Sequence, residues 1–115
     1  MTARREKVNR FLKEEISDII RRELKDPRLG FITVTDAEIS VDLRHAKIYV
    51  SILGSEEQQN ENLAVLKNSQ RFVRQAFAKR STMKVLPEIE FRFDESVEAF
   101  RAELAGTGIE FDVGI

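Results

Sequence analysis

Leu63-Ala64-Val65-Leu66-Lys67-Asn68-Ser69-Gln70-Arg71-Phe72-Val73-Arg74-Gln75-Ala76-Phe77 is helical in composition but does not hold one apolar face. At ~100° per residue, Leu63 and Leu66 point one way. Phe72, Val73, Ala76 and Phe77 point another, displaced by roughly 80°. One straight helix cannot present both groups squarely to one sheet. A kink or break is therefore predicted near Asn68-Ser69-Gln70-Arg71, where small and amide side chains compete locally for helical hydrogen bonds. The stretch from Glu61 to Arg80 becomes two helices, or one bent one.

On the N-terminal side, residues 4–25 read as a helix. Val8, Leu12, Ile16, Ile19, Ile20 and Leu24 follow the three-to-four spacing of one helical face, with Phe11 beside them. Asp26-Pro27 ends it and Gly30 turns the chain. Phe31 to Ile39 is β-branched and alternating, and reads as a strand. Ser40 to Arg44 connects it to a second strand, whose Ala46, Ile48, Val50 and Ile52 share one face. A connection this short predicts an antiparallel hairpin. Gly54-Ser55 and the polar run to Asn60 end that strand.

Beyond the central helices, Val85 to Phe93 is a third strand with Ile89, Phe91 and Phe93 inward. Pro87 puts its start at an edge or bulge, since proline has no N–H for a ladder. Ser96 can cap a short final helix through Val97, Phe100 and Leu104, which Gly106-Thr107-Gly108 breaks. The order is α-β-β-α-α-β. It predicts an α+β two-layer domain, a three-stranded sheet with helices on one face and the other face open or thinly covered. One domain over residues 1–104 and a flexible tail over 105–115 are expected.

The 115 residues suit one domain. The absence of cysteine excludes disulfides, thiolate zinc sites and a cysteine nucleophile, and the single histidine excludes a histidine metal cluster. No apolar run is long enough to span a membrane, and no signal-peptide pattern opens the sequence, so a cytoplasmic location is expected. No phosphate-binding glycine motif or metal-loop pattern occurs. His45 reads as a surface or turn histidine. The expectation is a non-catalytic binding protein with no cofactor, no metal and no small-molecule substrate.

Net charge is −1, but it is unevenly distributed. Residues 61–84 carry six Lys/Arg against one acid, whereas residues 85–115 carry two against eight. The basic set is Lys67, Arg71, Arg74, Lys79, Arg80 and Lys84. Lys67, Arg71 and Arg74 are spaced four and three apart, so they share a helical face suited to a phosphate backbone. The N-terminus of the second central helix adds N–H groups beside the kink. The first helix alternates charge through Arg10, Glu14, Asp18, Arg21 and Arg22, as a self-neutralised surface does. Only Arg4, Arg5 and Lys7 at its start are expected to meet phosphate. Alternation assigns most strand aromatics to the core.

Arg21-Arg22-Glu23-Leu24-Lys25-Asp26-Pro27-Arg28-Leu29-Gly30-Phe31-Ile32-Thr33-Val34-Thr35-Asp36 resembles the ribosome-binding factor A family. Asp42 to Ser51 and Val85 to Ser96 continue the resemblance, which covers roughly residues 5–100. It implies a type II K-homology (KH) fold. It also implies a bacterial cytoplasmic factor that binds the small (30S) ribosomal subunit and 16S rRNA during late maturation. Such a factor assists formation of the mature 16S 5′ region and supports growth at low temperature. In that family an Ala-x-Gly kink replaces the KH GXXG loop, and the matching positions here are Ser69, Gln70 and Arg71. Arginine for glycine is the larger departure: it forgoes close backbone approach but can add a phosphate contact.

The expected partner is therefore the small subunit, bound by a monomer. A general KH-like RNA chaperone and a protein–protein adaptor are the alternatives. Charge reversal at Arg71 and Arg74 together is expected to weaken binding without unfolding the domain.

Overall fold

The computed structural model describes residues 3–95. The expected final helix from Ser96 to Leu104 and the tail 105–115 lie outside the described residues. The elements are α1 (Ala3–Arg22), β1 (Ile32–Ile39), β2 (His45–Ile52), α2 (Glu56–Asn68), α3 (Gln70–Arg80) and β3 (Glu88–Phe93). This is the α-β-β-α-α-β order that the patterns predict.

The sheet order is β1-β2-β3. β1 and β2 form the antiparallel hairpin, while β3 returns through the helices to lie parallel to β2. Parallel return requires a crossover, which α2 and α3 supply. Leu12, Ile16 and Ile19 of α1 meet Ile39, Ile48, Val50, Ile52 and Phe91 of the sheet, with Leu66, Val73 and Phe77 closing the core. Each fully buried side chain of this size contributes about 1.5–3 kcal/mol. Phe11 and Phe77 pack with ring centroids 5.6 Å apart.

Four local expectations shift. β1 does not alternate throughout: Val34 faces Val50 and Asp36 faces Tyr49, so Thr35 is an extra, bulged residue. The bulge moves Ala37 and Ile39 onto the core face and keeps Asp36 and Glu38 off it. α2 starts at Glu56, so most of the polar run expected to be a connection is its first turns. Ser55 caps it: the Ser55 hydroxyl accepts from Gln58 N–H at 3.1 Å and Gln58 Oε1 accepts from Ser55 N–H at 2.8 Å. β3 begins only at Glu88, after the fully buried Pro87. α1 ends at Arg22, five residues before Pro27 forces a change of direction.

The face away from the helices carries polar rows set by register. One is Glu38–Lys47–Glu90 and the next is Asp36–Tyr49–Arg92. Among the described residues no helix covers this face, as the one-sided layering predicts.

Candidate nucleic-acid interface

The break between α2 and α3 is a single residue. Ser69 has φ −98° and ψ 4°, and its hydroxyl donates to Val65 O at 2.8 Å. A serine bonded back to the carbonyl four residues earlier bends a helix. The backbone angle is negative, so nothing at the break demands glycine. Arg71 therefore sits in the first turn of α3 without a strained backbone.

Around this break lies a cleft of 660 Å³ lined by Lys67, Asn68, Gln70, Arg71, Arg74, Glu88 and Ile89. The structure thus brings four of the residues expected to bind RNA, Lys67, Gln70, Arg71 and Arg74, to one cleft, with Ser69 at the break itself. They do not have equal freedom. Gln70 Oε1 accepts from Phe91 N–H at 3.0 Å, closing the outer edge of β3. Arg74 donates from Nε to Pro87 O and from Nη2 to Leu86 O, both at 3.0 Å, and lies 3.4 Å from Glu88. Arg74 holds the entry to β3. Its reversal would strip two carbonyls of their donor, so the pair Arg71 and Arg74 does not separate binding from folding.

Arg80 is committed to folding as well. One guanidinium nitrogen reaches Glu15 at 3.2 Å and Asp18 at 2.9 Å, and the other bonds Glu23. These bonds staple the end of α3 to α1. They hold the Asp18 carboxyl below the usual carboxylate range, with help from Arg21. The self-neutralised surface expected on α1 is present in part, with Asp18 bonded to Arg21 and Arg22. Arg5, expected among the free cations, donates to Ile39 O at 2.8 Å and so caps the end of β1.

The remaining cations are exposed. Arg4 and Lys7 lie at the start of α1, Lys67 at the end of α2, Arg71 and Lys79 on α3, and Lys84 before β3. None of these six makes an ion pair with a described carboxylate. Arg71, Gln75 and Lys79, four apart, form the solvent-facing stripe of α3. Phe72 joins them, 45% exposed rather than in the core as the periodicity suggests. An aromatic ring between cations is the arrangement that stacks on unpaired bases.

Arg44, at the tip of the β1–β2 hairpin, completes this end of the molecule. Its carbonyl accepts from Glu88 N–H at 2.8 Å, placing the tip beside the cleft. The neighbouring Asp42 turns to Ser40 Oγ and Arg44 N–H, which lower its carboxyl with a smaller contribution from the Arg44 charge, while Arg44 is exposed and makes no ion pair with a described carboxylate. Sequence reasoning passed over Arg44 because only strand pairing brings it beside α3. No described group of His, Cys, Asp or Glu is placed to hold a metal ion, and no described helix is long and apolar enough to cross a membrane.

The comparisons with known proteins agree among themselves. A family model described as ribosome-binding factor A matches residues 4–103. Ribosome-binding factor A of Natranaerobius thermophilus is 50% identical over 95 residues, covering 83% of this chain and 72% of that protein. That of Halothermothrix orenii is 47% identical over 95 residues, covering 83% and 78%. The crystal structure of ribosome-binding factor A from Thermus thermophilus superposes with a TM-score of 0.68 at 31% identity, covering 76% of this chain and 93% of that one. A Thermus thermophilus ribosome-binding factor A homology model fitted into the cryo-EM map of a 30S complex gives 0.60 at 32% identity, covering 72% and 87%. With its KH-like fold and a match spanning nearly its whole length, this chain belongs to the ribosome-binding factor A family.

Proposed function

We propose that this protein is a non-catalytic assembly factor that binds the small ribosomal subunit through 16S rRNA during late maturation. Formation of the mature 16S 5′ region and growth at low temperature are the processes it serves, in the cytoplasm. The observation that carries the reading is the stripe of exposed cations Lys67, Arg71 and Lys79, none in an ion pair with a described carboxylate, flanking exposed Phe72 at the helix break. Family kinship supplies the partner, because the fitted relative lies on a 30S subunit.

Phosphate contacts from this stripe give position and affinity, with Arg4, Lys7, Arg44 and Lys84 extending it. They carry no base sequence, so recognition falls to rRNA shape, unpaired bases and neighbouring ribosomal proteins.

Lys67→Glu with Arg71→Glu tests this. Neither side chain holds another element, so stability stays within about 0.5 kcal/mol of the native chain. Affinity for purified small subunits falls at least roughly tenfold at moderate salt. Unchanged affinity removes the stripe from the mechanism. Equal affinity of the native chain for isolated single strands and for subunits favours a general RNA chaperone.

A further inference from the structure

Phe72 differs from the other large hydrophobic side chains exposed among the described residues. Phe31, Val41, Leu53 and Val85 lie on connections, whereas Phe72 alone lies inside a helix. Its place is fixed from behind. Val73 and Ala76 are buried and dock α3 on the core, and Val73 N–H donates to Ser69 O at 2.9 Å, tying the first turn to the bend. The ring therefore stands at a set position on the surface.

The surroundings of the ring select the chemistry of its partner. At ~100° per residue, Arg71, Gln75, Lys79 and Phe72 fall within an arc of about 100°, so ring and cations look out together. Arg71 and Lys79 lie about 12 Å apart along α3, at ~1.5 Å per residue, and bracket the ring. Glu61 is the only acid in residues 61–84. The exposed residues around the ring on α2 and α3 are Lys67, Asn68, Arg71, Gln75, Ala78 and Lys79. A protein with an apolar face finds no second large hydrophobic side chain there.

The ligand that fits is flat, apolar on its face and negatively charged alongside. A nucleotide has that chemistry: the base stacks on the ring while phosphates meet the guanidinium and ammonium groups. Inside a duplex each base face is covered by its neighbours in the stack, so only an unpaired base can lie on Phe72. Cations alone do not make this distinction, because both forms of RNA carry phosphates.

We propose that Phe72 stacks on an unpaired base and makes the stripe selective for single-stranded over double-stranded RNA. This selectivity rests on the RNA-binding reading and adds to it the class of strand and the residue that chooses it.

The test is a set of binding titrations with an unstructured single-stranded RNA and with the blunt duplex formed by adding its complement. The native chain is expected to bind the single strand more tightly. Phe72→Ala removes a half-exposed ring and leaves the buried face of α3 in place. It is expected to lower single-strand affinity at least roughly fivefold, with duplex affinity and the salt dependence unchanged, because one stack is lost and no phosphate contact. The chain has no tryptophan, so Phe72→Trp places a single indole at the site. Its fluorescence is expected to be quenched by saturating single strand and not by saturating duplex. Equal native affinity for the two RNAs, unchanged single-strand affinity in Phe72→Ala, an equal loss for both RNAs, or an indole that does not respond to the single strand each overturns the proposal. Salt-dependent binding by the native chain leaves the RNA-binding reading standing in all four cases. A native chain that binds neither RNA also overturns the proposal, and the reading beneath it falls only if purified small subunits are not bound either.

Discussion

Asn62 is the one buried polar residue of the described core, 4% exposed. Its Oδ1 accepts from Gly30 N–H at 2.7 Å, and its Nδ2 donates to Arg28 O at 3.1 Å and Gln58 O at 2.9 Å. One amide thus ties α2 to the turn that launches β1. Asn62→Ala leaves Gly30 N–H and Arg28 O without these partners and is expected to cost about 1–3 kcal/mol in urea unfolding. Gln70 and Arg74 do similar work on β3. In the sequence all three are ordinary polar letters on helices. Nothing near them in the chain shows that their partners are backbone groups 12 to 34 residues away.

Between elements, the Arg80 staple joins α3 to α1, and pH reports on it. Asp18 is held below the carboxylate range chiefly by its hydrogen bond to Arg80. A carboxyl lowered by folding contributes stability above its unfolded pKa, and that contribution is lost as pH falls through the folded value. Arg80→Gln is therefore expected to raise the Asp18 titration midpoint, read by carbon NMR of its carboxyl. The stability gap between variant and native chain narrows as pH drops below about 4. At this scale the periodicities were largely legible: the helical face of α1 and the clean alternation of β2 follow from spacing, and the break falls where it was expected, before Gln70. The break, however, has a different cause from the one the helical wheel suggests. Phe72 faces solvent and Asn62 is buried, so the buried sets Asn62, Val65, Leu66 and Val73, Ala76, Phe77 lie within about 20° of each other on the wheel. Ser69, by bonding back to Val65, makes the bend. The β1 bulge was hidden for a related reason, since an unpaired residue is defined only by the strand opposite it.

For the whole molecule, near-neutral net charge coexists with a local basic surface because the carboxylates are placed elsewhere. Glu15, Asp18 and Glu23 neutralise Arg80, and Glu88 lies beside Arg74, while Lys67, Arg71 and Lys79 are left to solvent. Subunit binding by the native chain is expected to weaken with salt. Removing two phosphate contacts in the Lys67→Glu, Arg71→Glu variant should flatten the log–log slope by about 1.4–1.8. A salt series of binding titrations checks it, and an unchanged slope would mean those side chains meet no phosphate.

Residue order alone determined the order of the described helices and strands and that basic residues crowd the central helices. Each of these is a periodicity or a count along the chain. Only the tertiary structure decided which of those cations are free to meet RNA. That freedom depends on the carbonyls and carboxylates that folding brings within 3 to 4 Å from distant segments, which took Arg5, Arg74 and Arg80 and left Lys67 and Arg71.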